Sequence, residues 1–254
     1  MSRVANMKLK TLEAQLQEVD VFDEPKIQLE QIPTSPHLAA RMIYAAQVQY
    51  GDIEGKIIGD FGCGPGILSI ASCMLGATSI LAFDVDQDAL DTAWVNINKL
   101  EMTGCIDLIK LDLQSLNLCI NGDNKPFDTV IMNPPFGTRN TGIDSAFIEK
   151  AMIYSNVIYS LHKSSTRAHF IKLASIRDYS IEVVAEMKYN IPKTFKYHKE
   201  KSRDIEVDML RFEKLNVNLH HSQAHSQTQA HSQNIVSEEN FGLEGQTVFN
   251  ASAA

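Results

Sequence analysis

The sequence predicts an α/β fold: a mostly parallel sheet of seven strands, covered by helices on both faces and closed by a terminal antiparallel strand. Three observations carry this. Strand and helix patterns alternate from Lys56 to His162. A glycine-rich turn, Gly62-Cys63-Gly64-Pro65-Gly66, follows the first strand pattern of that run. The alternation then breaks, because 181–191 and 204–212 both read as strands with no helix-length segment between them.

Leu9, Leu12, Leu16 and Val19 fall at helical spacing, so the chain opens with a short amphipathic helix. Ser35-Pro36 is a cap with proline at the first helical position, and the helix it opens runs through 37–44. Residues 56–60 read as strand, 67–75 as helix, 79–84 as strand and 89–100 as helix. Strands follow at 106–111 and 127–132, then a helix at 144–156 and a strand at 157–162. Near the C-terminal end, Ile205, Val207 and Met209 share one face and alternate with Glu206 and Asp208. Two consecutive strands imply an antiparallel closing pair. That departs from a plain dinucleotide-binding sheet and favours the Rossmann-like, class I methyltransferase variant.

A chain of 254 residues with 44% hydrophobic content suffices for one such domain with a full core. No apolar run approaches membrane-spanning length, and the N-terminus lacks the apolar stretch of a signal peptide. Cys63, Cys73, Cys105 and Cys119 form no CxxC pair, so neither a zinc site nor a disulfide framework is expected, and a reducing, intracellular compartment is. A net charge of -8 argues against one broad basic surface for nucleic acid, while leaving room for local basic patches. From about residue 216 the composition turns to a His-Ser-Gln repeat. Such sequence cannot bury enough apolar area to offset its ordering entropy. Residues 216–254 are therefore expected to be a disordered tail, its histidines solvated rather than metal-bound. The expected division is an N-terminal helical segment (1–50), a catalytic domain (51–215) and that tail.

The glycine loop has GxGxG spacing, shorter than the GxGxxG that sets a helix N-terminus against pyrophosphate. It suits a cofactor without phosphate, S-adenosyl-L-methionine (SAM), which needs close backbone approach more than an anion site. Asp84 ends the second strand, about twenty residues on, where a carboxylate accepts from both ribose hydroxyls. Asp86 is the candidate cap of the next helix. Asp112 reads either as an acceptor for the cofactor's adenine amine or as an ordinary turn carboxylate. Asp60 orients the loop or meets the methionine amine of SAM.

Asn133-Pro134-Pro135-Phe136 follows the strand pattern at 127–132. An exocyclic aromatic amine is a poor nucleophile, because its lone pair is delocalised into the ring. The Asn133 side-chain oxygen and the Pro134 carbonyl can accept both amine hydrogens, favouring a pyramidal nitrogen and stabilising developing charge. The two prolines stiffen the loop, and Phe136 offers a face on which a base stacks. Orientation would supply most of the acceleration, without a strong general base.

With both motifs placed, the chain resembles the methyltransferase-like protein 5 family, adenine-N6 methyltransferases of small-subunit (18S) ribosomal RNA. The resemblance covers about residues 7–213. It rests on Leu29-Glu30-Gln31-Ile32-Pro33-Thr34-Ser35-Pro36-His37, the loop at 60–66, Ile131 to Thr138, Tyr159 to Ser165, and Asp204-Ile205-Glu206-Val207-Asp208. It implies that Gln31 and Thr34 close over SAM, that Gly62, Pro65 and Ile67 line it beside Gly64 of the glycine loop already read, that Asp84 holds its ribose, and that Leu111 and Asp112 flank its adenine. It implies that Asn133, Pro134, Pro135 and Phe136 hold the target adenine. Pro65 stands where some relatives carry cysteine, and Arg139 where relatives carry lysine. The resemblance further implies a small zinc-binding activator subunit as partner. The strand at 106–111 would be an edge in this fold, and an apolar edge invites pairing. A nuclear, nucleolar and cytoplasmic enzyme is expected.

Two places are read as RNA contacts. One is the basic-aromatic stretch containing Lys193, Lys196, Tyr197 and Lys199, and the other is His162-Lys163 at the end of the fifth strand. Competing readings are a protein glutamine N5-methyltransferase, whose amide also needs two acceptors, and a non-catalytic SAM-binding scaffold. A nicotinamide oxidoreductase fits least.

Overall fold

The computed structural model describes residues 7–118, 124–192 and 202–215. The His-Ser-Gln tail, Cys119, and Lys193, Lys196, Tyr197 and Lys199 lie outside the described residues.

Helix α1 (Leu9–Leu16) buries Leu12 and Leu16 completely, as its helical spacing predicts. A single 3-10 turn (Ile27–Leu29) precedes α2 (Pro36–Tyr50). Ser35 Oγ accepts from the Leu38 amide, and Pro36 begins the helix, where its missing N–H is no loss. The parallel units follow: β1 (Ile57–Phe61), α3 (Ile67–Met74), β2 (Ser79–Asp84), α4 (Gln87–Lys99) and β3 (Ile106–Lys110). Then come β4 (Phe127–Met132), α5 (Ile143–Tyr154), β5 (Ser155–Lys163), α6 (Arg167–Ile176), β6 (Tyr179–Pro192) and β7 (Ser202–Lys214).

These strands form one seven-stranded sheet in the order β3-β2-β1-β4-β5-β7-β6. Strand β7 lies between β5 and β6, antiparallel to both, so the closing pair is as the sequence predicts. The strand order reverses at β1, which pairs with β2 on one side and β4 on the other. A crevice opens at such a switch point, outside the C-terminal ends of the strands. There Phe61, Asp84 and Met132 end their strands and hand the chain to the loops of the site.

Central strands are buried on both faces, and in β4 every residue from Thr129 to Met132 is buried. Ile131 joins the core under α1, α2 and α3, while Val130 and Met132 join the core under α5 and α6. Phe61, Phe83 and Phe127 meet edge to face, with centroids 5.6 to 6.1 Å apart. A Cβ on Gly59 would lie 3.0 Å from Phe61 and 3.1 Å from Phe127, so this aromatic packing requires glycine in mid-strand.

The sequence pattern gave no element between β5 and β6, yet α6 lies there. Only Phe170 and Ala174 of that helix are buried, a stripe of one i, i+4 pair. Ile171 and Ile176 point outward, 48% and 65% exposed, which blurs the apolar period.

Strand β3 is an edge, as expected. Cys105 O accepts from Ile80 N and Leu111 N donates to Asp84 O, so odd-numbered positions face β2. By strand alternation, the backbone groups of Leu108 and Lys110 face away from it. No helix among the described residues is long and apolar enough to cross a membrane.

Candidate active site

Gly62, Gly64 and Gly66 have φ of 75°, 52° and 87°, a left-handed loop that carries β1 into α3. At Gly64 the requirement is double. A Cβ there would stand 2.8 Å from Phe22 Cζ, and L-residues rarely adopt that φ. The Gly62 and Cys63 amides both donate to Phe83 O at 2.9 Å, tying the loop to the end of β2.

Asp84 completes that tie. Its Oδ2 accepts from Gly64 N at 2.8 Å, and its Oδ1 from Asp86 N at 2.9 Å. Burial raises the Asp84 pKa, the neighbouring Asp86 charge adds to this, and the backbone hydrogen bonds oppose it. Asp86 caps α4 by accepting from Asp88 N, as predicted. It also receives the Lys26 ammonium, and Gln31 Nε2 at 2.7 Å. Gln31 in turn accepts from Lys26 N at 2.7 Å. Asp112 does what the plainer reading expected of it: its Oδ1 accepts from Gln114 N and caps a 3-10 turn, while its side chain also borders the cavity.

Asn133 leaves the end of β4 beneath the strap of chain that precedes α2. Its Nδ2 donates to Thr34 Oγ1 at 2.8 Å. Its Oδ1 is buried and has no partner. Such an orphan is uncommon in a folded protein and calls for an explanation. Phe136 is 8% exposed, packs on Leu38 and Val207, and carries Lys163 Nζ 5.6 Å above its ring centroid.

A cavity of about 260 Å³ joins these pieces. The glycine loop, Asp84, Leu111, Asp112, Asn133 to Phe136, and Gln31 and Thr34 of the strap all line it. Of the sequence-predicted site residues, Gly62, Gly64, Pro65 and Ile67 border it as well.

Asp60, His162 and Lys163 are not among the residues that line it. Asp60 is fully buried behind the loop, where Oδ2 accepts from Ser69 N at 3.1 Å and Ser69 Oγ at 2.6 Å. Its Oδ1 has no partner, and burial pushes its pKa up to about 7. His162 corrects an expectation. It is 1% exposed, its ring lies 3.8 Å from that of Phe170, and Nε2 bonds Ser160 Oγ at 2.8 Å. Burial depresses its pKa to about 3, so it is a neutral core residue rather than an RNA contact. The central place of β5 explains this: it lies between β4 and β7 and is buried on both faces from Ile158 to His162.

Sequence reasoning missed Glu30, Phe22 and Phe147, all of which border the cavity. Glu30 lay inside a quoted motif, but its partners are more than a hundred residues away. No local pattern marks Phe22 or Phe147.

A family model for the ribosomal protein L11 methyltransferase (PrmA) matches residues 37–134. The rRNA N(6)-adenosine-methyltransferase Mettl5 of Drosophila melanogaster is 50% identical over 212 residues, covering 83% of this chain and 98% of the relative. The corresponding METTL5 enzyme of Danio rerio is 48% identical over 208 residues, covering 81% and 99%. Among solved structures, a putative RNA methyltransferase of Pyrococcus horikoshii, PH1948, superposes with a TM-score of 0.72 at 31% identity, covering 85% of this chain and 98% of its own.

Proposed function

The chain belongs to the METTL5 family of rRNA N6-adenosine methyltransferases, and from that premise we propose that it methylates the N6 amine of an adenosine in small-subunit (18S) ribosomal RNA, with SAM as donor. The observation that carries this reading is the buried, unpartnered Asn133 Oδ1, beside a cavity that the glycine loop shares.

The residues present fit SAM. The left-handed glycine loop admits a ligand against the backbone, and no phosphate site is needed. Asp84, proposed to hold the ribose diol, and Leu111 and Asp112, proposed to flank the adenine, all line the cavity. Bound SAM supplies a methyl group already activated on a sulfonium.

What remains for the protein is to present the amine. Thr34 Oγ1 accepts from the Asn133 amide nitrogen, which leaves the amide oxygen free for a donor. Asn133 Oδ1 and the Pro134 carbonyl then take the two N6 hydrogens and stabilise charge arising on nitrogen. Phe136, braced by Leu38 and Val207, gives the adenine a ring to stack on. Lys163, with its Nζ 5.6 Å from that ring's centroid, is proposed to meet a flanking RNA phosphate. Lys193, Lys196, Tyr197 and Lys199 are proposed to extend this contact.

We assign the unpaired edge of β3 to a small zinc-binding activator subunit, supported by the outward backbone groups of Leu108 and Lys110. The substrate implies work in the nucleus, nucleolus and cytoplasm. A second reading is methylation of a protein glutamine. The same two acceptors serve an amide, and the partial match to a ribosomal protein L11 methyltransferase model keeps a protein substrate in view.

The test offers labelled SAM with unmodified small-subunit rRNA and a glutamine-bearing release factor side by side, with the activator co-expressed. Label on rRNA adenine is the expected result. Label on protein alone would replace this reading with the second.

A further inference from the structure

Glu30 ends the 3-10 turn of the strap in a left-handed conformation, φ 52° and ψ 37°. A non-glycine residue there is uncommon and disfavoured unless its surroundings hold it. What holds it is a set of four donors. Oε2 accepts from Thr138 N at 3.1 Å and Thr138 Oγ1 at 2.7 Å. Oε1 accepts from Arg139 N at 2.8 Å and Asn140 N at 3.4 Å. Burial raises the Glu30 pKa, and these hydrogen bonds outweigh it, so the carboxyl sits below its ordinary range.

Thr138, Arg139 and Asn140 follow the Asn133–Phe136 segment after one residue, Gly137. The strap therefore has an anchor at each end of the cavity. Lys26 and Gln31 tie it to Asp86 at the start of α4, beside the glycine loop. Glu30 ties it to the loop beyond β4, and Thr34 ties it to Asn133 itself. The Glu30 and Thr34 ties act on the same loop from the same strap.

We infer that Glu30 is a positioning residue: it clamps the strap onto the 138–140 loop, so that closure over the cofactor and formation of the acceptor pair for the target amine are one event. This rests on the function proposed above. The clamp makes no contact with the reacting atoms. It acts through Thr34 and Asn133, whose orientation decides whether Oδ1 faces the amine.

The test compares wild type, Glu30→Ala, Glu30→Gln, Thr34→Val and the Glu30→Ala/Thr34→Val double variant, each with the activator co-expressed. Thermal midpoint, SAM affinity without RNA, and kcat and KM on rRNA are read for each. The clamp predicts that Glu30→Ala keeps its thermal midpoint within a few degrees, binds SAM about fivefold to tenfold more weakly, and loses at least about tenfold in kcat. Glu30→Gln should fall between, since one amide oxygen replaces some of the four acceptor contacts. The double variant should lose less than the product of the two singles, because both open the same clamp. Wild-type SAM affinity and kcat in Glu30→Ala, or multiplicative losses in the double variant, would overturn the inference. If Glu30→Ala fails to fold, Glu30→Gln and Thr34→Val carry the comparison. Should wild type leave rRNA unlabelled, the proposed function fails by itself, and the SAM affinities still decide for or against the clamp.

Discussion

Asn133 uses its two polar ends differently: the nitrogen is tied to Thr34 and the oxygen waits, buried, for a donor. Leaving a buried acceptor unmet costs on the order of 1–3 kcal/mol, so the arrangement is favourable only once a ligand supplies the hydrogens. Asp60 holds a second such orphan, with a separate consequence. Its pKa is about 7 in the folded protein against an ordinary 3.8. Between those values the folded state keeps a proton that the unfolded chain has released. Stability therefore falls as pH rises from about 4 towards 7, and the full penalty is present above that. Asp60→Asn should remove this slope. Thermal melts of both proteins from pH 5 to 8 should diverge, with the variant gaining relative stability towards pH 8, and parallel profiles would refute it. The Asn133–Phe136 motif was legible in the sequence because its chemistry is written in consecutive residues. The burial of His162 was not, because it depends on β5 being covered on both faces in the assembled sheet, which the local pattern does not show.

The loops and helices around the cavity were legible to different degrees. The glycine loop, the Ser35-Pro36 cap and the Asp86 cap each carry a local signal and form as expected. Helix α6 carries little, having one buried stripe of two residues. The strap carries less still, since Glu30, Gln31 and Lys26 find their partners only through the tertiary fold. The loop makes a prediction of its own. Gly64→Ala adds a Cβ 2.8 Å from the Phe22 ring at φ 52°, so Phe22 must shift from its place at the cavity wall. The change should cost about 1–2 kcal/mol of stability and weaken SAM binding about tenfold or more, by thermal melt and calorimetry. Gly51→Ala, at φ 69° with nothing within 4 Å, should cost similar stability and leave SAM binding unchanged. Equal SAM affinity in both variants would contradict the close-approach account.

Across the whole molecule, one sheet brings the two motifs together. The strand order reverses between β1 and β4, so a glycine loop after β1 and an Asn-Pro-Pro-Phe segment after β4 are spatial neighbours despite their distance in sequence. That much was readable from the order of elements, as was the exposed edge of β3. The partner assigned to the edge can be tested without touching the site. Leu108→Pro removes an N–H that faces away from β2. It should lower recovery of the activator subunit in co-purification at least about fivefold, while the chain alone binds SAM as wild type does. Unchanged recovery would place the partner elsewhere. The central claim is that Asn133 presents the adenine amine to the methyl donor, and the most direct measurement is SAM affinity and rRNA methylation rate in Asn133→Ala, with the activator bound. The account predicts a loss of at least about a hundredfold in kcat, with SAM weakened by no more than the about tenfold expected from opening the strap's tie to Asn133. Methylation of rRNA adenine at a wild-type rate in that variant would contradict it.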